Sequence, residues 1–96
     1  MEIVGTGSDE ARLKELSKTL DLDKNIKFLG QIDNVEEVMK NWDIYVQPSL
    51  SESFGLAAAE AMSVEIPVIT TETSGLKELV DKDSGLLVEP KNSEAL

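Results

Sequence analysis

The sequence predicts an α/β fold: a doubly wound parallel sheet of about five strands, with helices on both faces. Three observations predict it. Short runs of β-branched and aliphatic residues read as buried strands, and each is followed by a stretch with helical apolar spacing. Strands that alternate with helices in this way require a parallel sheet covered on both sides. No internal repeat, linker or low-complexity segment interrupts the alternation along the 96 residues, which suffice for one domain.

Taken in order, Glu2, Ile3 and Val4 form a first strand running into Gly5, Thr6 and Gly7. Ser8 is placed to cap a helix whose Leu13, Leu16 and Leu20 make one apolar stripe against a sheet. A turn over Asp21 to Asn25 leads into a second strand, Ile26 to Leu29, ending at Gly30. Asn34 and Glu37 have the spacing of a capping box, and Val35, Val38, Met39 and Trp42 line one face of the helix that follows. Ile44 to Gln47 is a third strand, stopped by Pro48. An alanine-rich helix from about Phe54 to Val64 comes next, and Pro67 opens a fourth strand, Val68 to Thr71. A helical turn at Leu76 to Val80 and a strand Leu86 to Val88, entered at Gly85 and closed by Pro90, complete the pattern.

Composition narrows the chemistry. Hydrophobic residues are 41% and charged residues 29%, ordinary for a globular chain, and no apolar stretch is long enough to span a bilayer or act as a signal peptide. A cytoplasmic location is the default expectation. With no cysteine and no histidine, disulfides, thiolate or imidazole metal sites and His-dependent catalysis are excluded. Nineteen acidic against nine basic residues give a net charge of −10, which opposes unaided binding to nucleic acid or anionic lipid. Any phosphate bound here must be held by backbone amides or by basic residues supplied from elsewhere.

The chemistry-bearing stretch is VQPSLSESFGLAAAEAMSVEIPVITT, residues 46 to 71. A strand, a polar turn and a helix N-terminus make an anion site, with the amides of Phe54, Gly55 and Leu56 opening the helix. Glu52 in the turn and Glu60 in the helix, seven residues lying between them, would repel a phosphate, so they read as acceptors for hydroxyls of the same ligand. A phosphorylated sugar has both groups. Blander readings compete: Glu52 as a solvated acid supporting the helix N-terminus, Glu60 as an exposed position on a half-buried helix, and Gly5 and Gly7 as turn geometry. The third glycine of a GxGxxG motif would fall at position 10, which is Glu10, and this weakens a dinucleotide reading. Ala57, Ala58 and Ala59 are better explained by tight helix-to-sheet packing.

The run PSLSESFGLAAAEAM followed by IPVITT resembles the donor-site signature of retaining GT-B glycosyltransferases, the group that includes glycogen synthases, sucrose synthases and many lipopolysaccharide and mannosyl transferases. IVGTGS, NIKFLGQI, WDIYVQPS and TSGLKELVDKDSGLLVEP extend the resemblance over nearly the whole chain, in the family's order. It implies a Rossmann-like, nucleotide-sugar-binding half of a GT-B enzyme spanning 1–96. By residue match, Glu52 would lie near the donor sugar and the reacting carbon as the catalytic candidate, and Glu60 would accept hydrogen bonds from the ribose hydroxyls. Ser53, Phe54, Gly55 and Leu56 would approach the phosphate or sugar, Gly30 the base, and Gly75 the phosphates. The donor would be a UDP-, GDP- or ADP-sugar, with no metal and no further cofactor. The acceptor, a glycan or lipid, would be held by an N-terminal domain, and the enzyme could sit peripherally at the inner face of a membrane.

Two departures from the family pattern stand out. The family has Gly at the helix C-terminal turn where this chain has Glu65, which would be strained by about 1 kcal/mol if the backbone there is left-handed. The resemblance also implies a preceding strand and helix with a basic diphosphate loop, and further C-terminal helices, so the chain reads as a partial domain. Removing a central strand from the order 3-2-1-4-5-6 would let the sheet close into a flavodoxin-like order 2-1-3-4-5, the preferred outcome, or let a second copy fill the gap by swapping or dimerising. Lacking the basic loop, the acceptor pocket and interdomain closure, the chain alone is expected not to catalyse transfer. The alternatives are a non-enzymatic flavodoxin-like nucleotide-binding or interaction domain, and half of a GT-B-like sugar-nucleotide epimerase.

Overall fold

A computed structural model describes all of residues 1–96. The expected alternation is present: β1 (Glu2–Val4), α1 (Glu10–Thr19), β2 (Lys27–Gly30), α2 (Val35–Met39), β3 (Tyr45–Gln47), α3 (Leu56–Ser63), β4 (Val68–Thr71), α4 (Ser74–Leu79) and β5 (Gly85–Val88). Every strand pairing is parallel. The strands form two sheets, β1-β2 and β3-β4-β5. Closure into one five-stranded sheet of order 2-1-3-4-5 is therefore corrected, since β1 and β3 each bond to a single neighbour and share no ladder. The chain divides correspondingly into two compact units, Met1–Asn34 and Val35–Leu96.

In the first unit, Glu2 pairs with Lys27 and Ile3 with Phe28, and a register shift then sets Val4 opposite Gly30. The ladder is extended by the Gly5 amide donating to the Gly30 carbonyl (2.8 Å). Two expectations for α1 are corrected. Asp9, not Ser8, stands at its N-cap, and it makes no side-chain cap bond because its carboxylate is bidentate to Arg12, with the shorter contact 3.0 Å. The Leu13, Leu16 and Leu20 stripe stays exposed, with Leu20 57% accessible, while Ser17 is the buried residue of the helix. A two-stranded ladder is too narrow to cover a stripe of three leucines.

The second unit holds the hydrophobic core. Met39 from α2, Ala61 from α3, Ile66, Val68 from β4 and Val80 form one buried cluster, with Val35, Trp42, Tyr45, Met62, Val64 and Leu79 packed around it. Of the alanine run, Ala58 is completely buried and Ala57 and Ala59 half-buried, and Ala61 beyond it is completely buried, so α3 lies close on its sheet. A methyl is as much as that distance admits. The α2 capping box does not form, because the Glu37 carboxylate is taken by Lys40, one turn on. Trp42 lies in the turn after α2 and stacks on Tyr45, with ring centroids 6.4 Å apart and planes inclined by 16°.

Helix α3 ends as the departure at Glu65 implied. Val64 closes the helix, and Glu65 adopts φ 63°, the left-handed conformation in which a side chain is strained. The chain then turns through Ile66 and Pro67 into β4. The α4–β5 connection is an Asp81 turn in which the carboxylate accepts from the amides of Asp83 (3.0 Å) and Ser84 (2.9 Å) and from the Ser84 hydroxyl (2.8 Å). No helix is long and apolar enough to cross a membrane.

Candidate functional site

The site is built where β3 ends. In parallel sheets the strands' carboxyl ends face the ligand side, because each strand there gives way to a loop that leads into a helix N-terminus. Three strands end together here: the β3–β4 register sets Gln47 opposite Thr70, and the β4–β5 register sets Thr71 opposite Val88. The Thr71 hydroxyl donates to the Ser49 carbonyl and more weakly to that of Gln47 (3.5 Å), fixing the chain as it leaves β3. A cavity of about 210 Å³ opens beside these ends, with Pro48, Leu50 and Val88 on its apolar side and Thr71, Glu89 and Lys91 among its polar residues.

Glu52 sits in the following turn, half-buried. One carboxylate oxygen accepts from the Phe54 amide (3.2 Å) and the other from the Gln47 side-chain amide (3.1 Å). Hydrogen bonds from the backbone at Phe54, then Gly55 and Ser53, with Gln47 adding to them, hold its carboxyl below the usual carboxylate range. The carboxylate is thus ionised, oriented, and seated at the mouth of α3. This changes the reading of the helix N-terminus. The Phe54 amide, expected to meet the ligand, is occupied by the chain's own Glu52. The first three amides of α3 itself, those of Leu56, Ala57 and Ala58, have no partner within their helix. Ser53, Phe54 and Leu56 are exposed, Phe54 at 62%.

Two glycines lock this turn in place. Gly55, at the N-cap of α3, has φ 87° and is buried, and a Cβ on it would lie 2.4 Å from Leu76 Cδ2. Gly75, in the first turn of α4, donates its amide to the Glu52 carbonyl (3.1 Å). A Cβ on Gly75 would stand 2.4 Å from the Ser53 carbonyl atoms and 2.5 Å from the Phe54 nitrogen. The beginnings of α3 and α4 therefore meet around residues 52 to 55, and Gly75 is there because backbone touches backbone.

Glu60 follows on α3, half-buried, and Tyr45 on β3 registers both acids. Burial first, then the negative charges of Glu60 and Glu52, raise the Tyr45 phenol above its ordinary value. The Tyr45 hydroxyl donates to Gln47 Oε1 (3.1 Å), and Gln47 Nε2 donates to Ser49 Oγ (3.3 Å) as well as to Glu52. The structure thus brings together Glu52, Ser53, Phe54, Gly55, Leu56, Glu60 and Gly75. Gly30 (φ 68°) belongs to the first compact unit. Tyr45 and Gln47 were missed by sequence reasoning. The available signal was a glutamine at the end of an otherwise apolar strand, which requires partners.

The family model for glycosyl transferases group 1 matches residues 1–96. An uncharacterised glycosyltransferase of Haemophilus influenzae is 35% identical over 98 residues, covering 100% of this chain and 28% of that protein. The N-acetyl-alpha-D-glucosaminyl L-malate synthase of Bacillus anthracis is 36% identical over 88 residues, covering 91% of this chain and 23% of the synthase. Among solved structures, Anabaena HepE in complex with UDP-glucose superposes with a TM-score of 0.89 at 29% identity, covering 97% of this chain and 28% of HepE. The chain spans about a quarter of the length of the curated relatives it matches.

Proposed function

The chain belongs to the glycosyl transferases group 1, and from that premise we propose that it is the donor-binding part of an enzyme moving a sugar from a nucleotide-sugar to an acceptor with retention. The observation that carries the reading is the preset Glu52: an ionised carboxylate, held by a backbone amide and a side-chain amide, between the end of β3 and the start of α3. Such a group can accept a sugar hydroxyl and face the positive charge that develops on the anomeric carbon as the diphosphate leaves. Because its place is fixed before the substrate arrives, it needs no reorganisation during the reaction.

Glu60 is assigned to the ribose hydroxyls, for which a bidentate acceptor is suited. Ser53, Gly55 and Gly75 shape the approach, and the Phe54 amide serves the substrate by holding Glu52. The amides from Leu56 onward are the ones available for a phosphate or a sugar oxygen. Gly30 is assigned to the nucleotide base. The complex of HepE with UDP-glucose supports a uridine nucleotide as the first donor to try. The acceptor is assigned to another domain, the working location to the cytoplasm, and the isolated chain to an inactive state, since half a cleft neither holds an acceptor nor excludes water.

An amide-resolved NMR titration with UDP, GDP, ADP and UDP-glucose tests the assignment. Selective shifts at Leu56 and Glu60 with one nucleotide are expected. Absence of any shift there at millimolar ligand refutes the donor-site assignment, and sugar transfer by the isolated chain refutes its inactivity.

A further inference from the structure

We propose that Gln47 is the positioning residue for Glu52, and that the Tyr45 hydroxyl braces the far end of the Gln47 amide. The inference rests on the assignment of Glu52 to the donor sugar and adds the means by which that carboxylate is aimed. A carboxylate accepts hydrogen bonds and donates none, so Gln47 serves Glu52 only when its NH₂ end is turned toward it. The Tyr45 hydroxyl braces the other end of the amide in that orientation. It donates to Gln47 Oε1 at 3.1 Å, leaving Nε2 to reach Glu52 Oε2 at 3.1 Å and Ser49 Oγ at 3.3 Å. With the amide reversed, Tyr45 would accept from Nε2 instead, but Oε1 would face the Glu52 carboxylate, acceptor against acceptor, so the carboxylate itself fixes the orientation and Tyr45 completes it.

The elements behind this relay are rigid. Tyr45 and Gln47 are two residues apart on β3 and so project to the same side of the sheet, and both are backbone-paired to β4, opposite Val68 and Thr70. The Tyr45 ring stacks on Trp42 and packs against the buried cluster of the second unit. The Thr71 hydroxyl anchors the Gln47 and Ser49 carbonyls. Glu52, by contrast, sits on an irregular turn, and a turn is less exact than a strand. The relay transfers the precision of β3 to a side chain that β3 does not carry.

The test uses steady-state kinetics of the full-length protein carrying this chain, with a nucleotide-sugar donor and with urea unfolding to confirm that each variant is folded. Gln47→Met should lower kcat by roughly 10- to 100-fold, the loss of one hydrogen bond to a charged group, with donor KM within about twofold of wild type. Gln47→Glu, close in shape but bringing a second carboxylate to Glu52, should lower kcat at least as far. Tyr45→Phe, which removes a single oxygen and remains informative if the Gln47 variants unfold, should lower kcat by roughly 3- to 10-fold. In a Glu52→Gln background Gln47→Met should have little further effect, because the two act as a unit. Folded Gln47→Met and Tyr45→Phe proteins with wild-type kcat, while Glu52→Gln is impaired, would overturn the positioning role and leave the Glu52 assignment standing. Wild-type kcat in Glu52→Gln would overturn that assignment and this inference with it.

Discussion

Replacing Gly75 by alanine puts a methyl carbon where the structure has backbone. The new Cβ would lie 2.4 Å from the carbonyl carbon and oxygen of Ser53 and 2.5 Å from the nitrogen of Phe54. Carbon atoms rest about 3.5 Å or more apart, so one of the two segments must retreat by about 1 Å. Neither is the flexible end of a side chain. The Gly75 amide's bond to the Glu52 carbonyl (3.1 Å) spans the same contact and would lengthen with it. Overpacking of this kind costs about 1–3 kcal/mol. For a urea m-value of about 1–3 kcal/mol/M, that is a midpoint lowered by roughly 1 M with the slope unchanged. Because the displaced residues directly follow Glu52, a shift of about 1 Å should also cost on the order of 10²-fold in turnover by the full-length enzyme. Gly7→Ala is the internal control: its Cβ would meet nothing within 4 Å, and it should stay within about 0.5 kcal/mol of wild type. Equal urea midpoints for Gly75→Ala and Gly7→Ala, with unchanged amide shifts at Ser53 and Phe54, would refute the reasoning.

Three further outcomes are expected. Glu65→Gly relieves a left-handed side-chain-bearing residue at φ 63° and should raise stability by about 0.5–1 kcal/mol after the extra entropy of the unfolded chain, read as a higher urea midpoint; a lower one would refute the strain. Met39→Ala empties a position only 2% accessible in the core and should cost about 2–5 kcal/mol by the same measurement; a cost below 1 would mean that the core collapses onto the gap. The carboxyls of Glu52 and Asp81 are held low chiefly by hydrogen bonds, backbone amides foremost for Glu52 and Ser84 foremost for Asp81. Their folded values lie below their unfolded ones, so the stability they confer is complete above the unfolded range of about 4 and is lost as pH falls through the folded values. A Glu52→Gln/Asp81→Asn double variant should therefore show a flatter fall in urea midpoint below about pH 5, and a fall as steep as wild type would exclude these groups as its source.

The alternation of strands and helices was legible in the sequence because periodicity is a local property. Val68 to Thr71 and the Ala57–Ala59 run declare a buried strand and a close-packed helix from their composition alone, and the chain folds them so. The roles expected of Glu52 and Glu60 came from the family resemblance, because their spacing on a turn and a helix is by itself a weak signal. The left-handed backbone at Glu65 was signalled through the resemblance, by the glycine that the family has at that turn. Helix caps were misread where a side chain had a stronger local partner, as Asp9 and Glu37 have in Arg12 and Lys40.

What tertiary structure decided is everything that depends on which residues meet across the chain. No local pattern states that β1 pairs only with β2 and that β3-β4-β5 make a separate sheet. Nor does any state that Gly75 abuts Ser53, more than twenty residues earlier, or that Phe54's amide is already satisfied by Glu52. The link from Tyr45 through Gln47 to Glu52 spans only eight positions, yet it too is invisible in the sequence. It exists because the end of a strand and the turn beyond it fold back to within 3.1 Å. The sequence determined which chemical groups the chain has and which elements carry them. Their aim was decided by packing, because a hydrogen bond is directional and its direction is set by the elements that close around it.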